Sequence, residues 1–440
     1  ELGRSNKADA ILESRLRDAV LRLNLGRDAG AVDAAVAAFV EDRSSLDPVR
    51  ANKAVWEMLR DGVVVQAESD KGNKEPRRVR FVAWDVADQN EFLAVSQLWV
   101  TGEMHTRRTD IVLFVNGIPL GFLELKAPER TVYEAYQENL RAYRKEIPQL
   151  FWFNAFVILS NGSESRMGST YASWEFFAEW KKIDDEAEAG TVSLETMLRA
   201  TCEPHRMLDI VENFIAYTET GGTVDAEGKR TSSLVKKVAK NHQYLGVNNA
   251  LEATYEVKER EGRLGVFWHT QGSGKSLSML WFTQKVLRHI PGGWTFVMVT
   301  DRTELDTQLH GEFADAGAIP PEARVHAKSI ANLRELLAAE HRYVFTLIQK
   351  FQPSKGLGER QMPVLSDRSD VIVITDTIPN PPSDLRKKLR PRGFSLVILD
   401  KDLQPEIRKP LPWDVREITR AIDKFPSRLI EVLERNPAGR

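Results

Sequence analysis

Apolar positions recur at helical spacing over residues 8–23, 28–40 and 51–59, which predicts three packing helices at the start of the chain. From Val79 the period shortens to two. Val79 to Trp84 and Phe92 to Val100 read as strands, and two further apolar runs flank Asn116-Gly117, the strongest short hairpin signal. Glu129 to Glu146 places Val132, Tyr136, Leu140 and Tyr143 on one helical face and ends before Pro148. Asn154 to Ser160 reads as a buried strand stopped by Asn161-Gly162, so hairpin, helix and strand make an α/β core. Residues 168–217 are aromatic-rich and apolar-periodic, as helical packing requires. Residues 221–233 are polar and glycine-bearing, the best linker candidate, and Leu234 to Tyr255 is a helical run. Beyond it, short apolar runs at 264–267, 294–300, 343–351 and 370–376 alternate with amphipathic stretches. That pattern implies a parallel sheet covered on both faces.

The organisation expected is therefore a first domain over 1–220, a linker at 221–233 and a second domain over 234–376. Residues 377–440, with the apolar run Phe394 to Asp400, match no recognisable unit. Composition changes little in this picture. At 42% hydrophobic and 28% charged residues the chain resembles an ordinary globular protein, and no run approaches the length of a membrane span. The first residue is Glu1, not Met, and no secretory signal pattern opens the chain; the lone Cys202 rules out an internal disulfide and fits a reducing, cytoplasmic setting. The net charge of −2 leaves nucleic-acid binding to local patches, with Arg77 to Arg80, Arg107-Arg108, Lys236-Lys237 and Arg386 to Lys388 as candidates.

Chemistry concentrates in two stretches. Thr270-Gln271-Gly272-Ser273-Gly274-Lys275-Ser276, between an apolar run and a helix, reads as a phosphate loop. Its N–H groups and the helix N-terminus would face phosphate oxygens, Lys275 would reach the β- and γ-phosphates of ATP, and Ser276 would hold Mg²⁺. Asp376, ending an apolar strand, fits a second Mg²⁺ ligand, and Gln243 upstream could read adenine. The other stretch is the hairpin. Glu124 and Lys126 are two apart on a strand and share a face. Two carboxylates, Asp110 and Glu124, holding Mg²⁺ beside a lysine would suit metal-dependent phosphodiester hydrolysis. Register supplies a test. A strict two-residue turn at Asn116-Gly117 pairs Asp110 with Leu123 and sends its side chain away from Glu124. Metal sharing therefore requires a slip of one residue, in the loop or at a bulge near Pro119 and Gly121.

The chain resembles the restriction (R) subunit of type I restriction-modification enzymes from about residue 20 to 376. The resemblance rests on Arg108-Thr-Asp-Ile-Val-Leu-Phe-Val-Asn-Gly-Ile-Pro-Leu, Leu123-Glu-Leu-Lys-Ala-Pro, Ile147-Pro-Gln-Leu-Phe, Gln243, Trp268-His-Thr-Gln-Gly-Ser-Gly-Lys-Ser, Asp301-Arg302 and Thr346-Leu-Ile-Gln-Lys-Phe. It implies a PD-(D/E)xK-type nuclease domain followed by a RecA-like motor lobe of the superfamily 2 helicase kind. Asp110, Glu124 and Lys126 would match the nuclease motif, Gln243 the adenine-reading glutamine, and Asp301-Arg302 a DNA-linked coupling segment. It further implies double-stranded DNA as substrate and methyltransferase and specificity subunits as partners. Two positions depart from the family pattern. Asn139 stands where the family has Gln, four residues before Tyr143, and Asp376 is followed by Thr377-Ile378-Pro379 instead of Glu-Ala-His. No later segment resembles a second motor lobe, so the chain as it stands is expected to bind ATP and hydrolyse it poorly. A DNA-clamping assembly module and a standalone repair nuclease-helicase are the competing readings.

Overall fold

The computed structural model describes residues 3–26, 29–68, 74–224, 230–259, 262–265, 273–320, 323, 325–352, 364, 366, 368–375 and 395–397. The chain forms two compact units, Glu1–Asn241 and His242–Arg440.

In the first unit the helical spacing is realised as α1 (Glu13–Leu23), α2 (Ala29–Val40) and α3 (Pro48–Asp61). Asp47 caps α3 by accepting from the N–H groups of Val49 and Arg50, with proline in the first turn. A hairpin of β1 (Val63–Glu68) and β2 (Lys74–Val79) follows and ends where the pattern predicts a strand to begin; residues 80–84 are irregular. The run 92–100 also divides, into β3 (Phe92–Ser96) and β4 (Trp99–Thr101), on either side of Gln97, whose φ is 53°. β4 pairs with β5 (Thr106–Arg108) as a separate two-stranded ribbon.

The hairpin of β6 (Ile111–Val115) and β7 (Ile118–Leu125) turns on Asn116 and Gly117, with φ of 51° and 78°. Positive φ at both central residues is what a twist-compatible tight turn demands, hence Asn-Gly. The predicted helix is present as α4 (Val132–Glu134), a π turn over Ala135–Leu140 and α5 (Arg141–Glu146). A capping box of Thr131 and Glu134 starts it, and the short α6 (Pro148–Phe151) follows its end. With β8 (Phe156–Ser160) and β9 (Ser165–Gly168) the main sheet has the order β3-β6-β7-β8-β9, in which only β7 and β8 run parallel. β7 is central and buried from Ile118 to Glu124, with Phe122 packed between Tyr143 and Phe151. Each such ring contributes about 2–3 kcal/mol by leaving water.

After α7 (Leu194–Cys202) and α8 (Pro204–Asn213), β10 (Ile215–Val224) and β11 (Arg230–Val238) form a long antiparallel hairpin. Residues 230–233, expected in a linker, and 234–238, expected in a helix, are therefore strand. The polar composition that suggests a linker is equally compatible with a strand, in which Thr is favoured.

The second unit opens with α9 (Asn241–Tyr255), the shortened form of the predicted helical run. It contains α10 (Lys275–His289), β12 (Thr295–Thr300), α11 (Thr303–Asp315), α12 (Ile330–Ala338), β13 (Tyr343–Leu347), β14 (Val371–Thr375) and β15 (Ser395–Val397). The sheet order is β13-β12-β14-β15, parallel throughout. Val297, Val299, Val344 and Val373 meet Leu333, Leu336 and Leu337 of α12 on one face. On the other, Phe296 stacks on Tyr343, and Phe313 of α11 contacts Tyr343 and Phe345 edge-on. Both faces are covered, as the unbroken apolar runs predict. Residues 395–397, which match no recognisable unit in the sequence, extend this sheet.

Candidate active site

The register of β6 and β7 decides the first site. Val115 pairs with Ile118 and Phe114 with Pro119, but Leu113 pairs with Gly121, so Leu120 is bulged out of the ladder. This is the slip of one residue that a shared metal requires, lying between the two positions favoured for it. From there Ile111 pairs with Leu123, which carries Asp110 opposite Glu124 and puts both on one face. Asp110 Oδ2 accepts from the N–H of Leu125 at 2.8 Å, so its carboxylate continues the ladder that its strand has left.

Glu124 is 1% exposed. Its Oε1 accepts from Asn139 Nδ2, on the π turn, and lies 3.9 Å from Lys126 Nζ. Lys126 Nζ in turn donates to Asn139 Oδ1 at 2.6 Å. Asn139 thus bridges acid and lysine, using both ends of its amide. Such π turns are frequent where a helix aims a side chain at a site. Glu124 Oε2 is buried with no hydrogen-bond partner among the described residues. Burial and the neighbouring Asp110 carboxylate raise the Glu124 pKa to about 7, against the opposing pull of Lys126, Tyr143 and Asn139. Burial, with Glu124 beside it, also pushes the Tyr143 hydroxyl well above its ordinary value. That hydroxyl donates to the carbonyl of Arg108 at 3.2 Å, tying α5 to the ribbon.

The residues present fit a divalent cation. A buried carboxylate oxygen without a partner, next to a second carboxylate, is a costly arrangement by itself and a natural one for a hard cation. Among the described residues no group of three or more His, Cys, Asp or Glu is arranged to hold a metal. Mg²⁺ needs only one or two protein carboxylates when water and phosphate complete its shell, whereas a structural zinc site would need four ligands.

Of the phosphate loop, Thr270, Gln271 and Gly272 lie outside the described residues, as does Asp376. Lys275 and Ser276 open α10, and Gly274 before them has a φ of 87°. A Cβ there would stand 2.7 Å from Gln243 Nε2. Gln243 is buried and donates to the carbonyls of Ser273 at 3.3 Å and Gly274 at 3.0 Å. It therefore lies against the two residues that precede α10, with its amide nitrogen bonded to their carbonyls. Asp301 and Arg302 follow β12. The Asp301 carbonyl accepts from Gln349 at 2.8 Å while the Arg302 side chain is 71% exposed.

Sequence reasoning missed the Asn139 bridge and a cluster in the second unit. There the buried Asp306 carboxylate meets His326, on which His310 stacks with ring centroids 5.6 Å apart. Neither has a local signal, since each joins residues from different elements. Several basic patches also resolve. Arg107 is paired with Glu146, Arg77 with Glu75, and Lys236 is buried, while Arg386 to Lys388 lie outside the described residues.

Residues 1–176 match the family model for the type I restriction enzyme R protein N terminus, and residues 242–378 that for the SWI2/SNF2 ATPase. The chain is a relative of type I restriction enzyme R subunits. It is 34% identical over 388 residues to the Haemophilus influenzae type I restriction enzyme HindI endonuclease subunit, covering 86% of this chain and 36% of that one. To the Staphylococcus saprophyticus type I restriction enzyme SsaAORF53P endonuclease subunit it is 26% identical over 231 residues, 51% of this chain and 22% of that one. The chain thus spans about a third or less of the length of these relatives. The two matched regions coincide with the sheet that carries Asp110, Glu124 and Lys126 and with the parallel sheet beside Lys275.

Proposed function

We propose that the chain joins a PD-(D/E)xK-type DNA-cutting unit to the first RecA-like lobe of an ATP-driven motor, and works in a type I restriction complex. The observation that carries this reading is the Leu120 bulge. It brings Asp110 opposite Glu124, with Lys126 on the same face and Glu124 Oε2 left without a partner. Asp110 and Glu124 would hold Mg²⁺, which when bound supplies charge neutralisation at the phosphate and a more acidic water. Lys126, held by Asn139, orients the attacking water and stabilises charge growing on the phosphate oxygens. Asn139 keeps Glu124 Oε1 occupied, so Oε2 would be the oxygen offered to the cation. Asp110, fixed through Leu125 N–H, presents its remaining oxygen. The surrounding apolar strands exclude bulk water and strengthen each of these interactions.

In the second unit Lys275, Ser276 and the start of α10 would bind the phosphates of MgATP, Asp376 would add a ligand, and Gln243 would read adenine while sensing the loop it touches. Asp301-Arg302 would couple nucleotide state to duplex DNA. Methyltransferase and specificity subunits would choose the sequence, leaving this chain to hold phosphates without regard to base. The test is plasmid nicking and ATP turnover by the same preparations. Lys126→Ala should lose cutting and keep ATPase, and Lys275→Ala should do the reverse.

A further inference from the structure

The ribbon of β4 and β5 leads directly into the site, since Arg108 is followed by Thr109 and Asp110. Cross-strand pairing sets Trp99 opposite Arg108, Val100 opposite Arg107 and Thr101 opposite Thr106. On one face Val100 is buried, and Arg107, its side chain 43% exposed, is tied to Glu146, with Nη2 donating to Oε1 at 2.8 Å. Tyr143 binds the Arg108 carbonyl, and a Cβ on Gly102 would stand 1.8 Å from the Glu146 carbonyl. The ribbon is thereby clamped to the helix that positions Asn139.

Its outward face is the opposite case. Trp99 is 46% exposed and Met104, in the connecting loop, 87%. Lys7 Nζ and Arg108 Cζ each lie 5.9 Å from the Trp99 ring centroid. Arg4 Nη2 donates to the Trp99 carbonyl at 2.7 Å, and the Thr101 and Thr106 hydroxyls lie 3.0 Å apart on the same face. Among the described residues neither Lys7 nor Arg108 makes an ion pair; the nearest side-chain partner of Arg108 is the neutral Gln97, at 3.4 Å. Two cations held against an indole, without carboxylates to neutralise them, form a surface suited to phosphates.

We propose that this outward face, Lys7, Trp99, Thr101, Thr106 and Arg108, tracks the sugar-phosphate backbone of duplex DNA and delivers it to Asp110 and Glu124. Arg108 forks onto one phosphate, Lys7 meets a neighbouring one, the threonine hydroxyls donate alongside, and Trp99 packs on deoxyribose. The proposal rests on the nuclease reading for its purpose, but not for its binding chemistry.

The test uses the full chain without nucleotide, binding a short duplex of arbitrary sequence across a salt series. Removing one phosphate-binding cation should lower the slope of log K against log salt by about 1. Lys7→Ser with Arg108→Gln should therefore reduce the slope by about 2, with affinity down roughly tenfold or more at low salt. Trp99→Ala should weaken binding with little change in slope, and Trp99→Phe should restore it. Arg17→Gln with Lys53→Ser, which removes the same charge elsewhere in this unit, should bind as the parent does. An unchanged slope in the Lys7/Arg108 variant, an equal loss in the control, or no binding by the parent chain overturns the proposal. Lys126→Ala separates the two ideas. Should it cut normally while the Lys7/Arg108 variant loses slope, the surface stands and the nuclease assignment falls.

Discussion

Two lysines of the first unit sit in tight hydrogen-bond networks, Lys236 buried on β11 and Lys126 half-buried just past the end of β7, and their surroundings differ in one respect. Lys236, on β11, is fully enclosed. Its Nζ donates to Asn52 Oδ1 at 2.8 Å and to the Asn154 carbonyl at 2.6 Å. Tyr217 donates to the same Asn52 oxygen, and Asn52 Nδ2 serves the carbonyls of Phe151, Trp152 and Asn154. Among the described residues no carboxylate takes part, and burial holds the Lys236 pKa well below that of a free lysine. Around Lys126 the network is as tight, yet it ends on Glu124 Oε2, a buried acceptor to which no described residue donates. Scaffold networks close on themselves. A network that stops at an open acid is prepared for something absent from the polypeptide.

The largest expected effect is on the open network. Lys126→Ala should lower plasmid nicking by about 10²–10³-fold or more while ATP turnover persists. Loss of both activities would break the comparison by showing that the two sites do not work separately. Next comes the closed network. Asn52→Ala strips partners from Lys236, Tyr217 and three carbonyls, at about 1–3 kcal/mol for each group left buried and unpaired. A marked fall in the urea midpoint with unchanged nicking by the folded fraction is the result to look for. Lys236 also makes stability depend on pH. The unfolded chain takes up this proton below about pH 10, whereas the folded amine does so only at much lower pH. Stability should therefore rise with pH over the interval between the two, and Lys236→Met should flatten that slope.

A smaller effect of opposite sign is expected at Glu124. Its folded pKa of about 7 exceeds the unfolded value, so the folded state holds the extra proton and stability declines as pH rises to about 7. With metal chelated, Glu124→Gln should stabilise the protein above pH 7 by roughly 1–3 kcal/mol and have little effect near pH 4. Thermal melts at both values would measure it. Least is expected of Asn139→Asp, which keeps an acceptor for Lys126 but adds a third acid beside Glu124. Nicking should fall about tenfold and its optimum move toward higher pH.

The Asn116-Gly117 hairpin is legible in the sequence because positive φ at both positions restricts the residues that can stand there. The slip can be anticipated too, since Asp110 and Glu124 cannot share a face without one. What stays concealed depends on contacts between distant elements. Nothing near Asn139 announces that a π turn will set its amide between Glu124 and Lys126, and nothing near Lys236 announces Asn52. β11 escapes a sequence reading because Thr, Ser and Lys suit a linker as well as an exposed strand, and its partner Ile215–Val224 follows directly on helical packing residues. In the second unit the apolar runs are plain because a parallel sheet buried on both faces leaves little choice of residue.

Calorimetric titration of Mn²⁺ into the full chain without nucleotide tests the central claim most directly. The account predicts one site in the parent chain that is lost in Asp110→Asn and in Glu124→Gln and kept in Lys275→Ala. Equal binding by all four proteins, or loss only in Lys275→Ala, would contradict it.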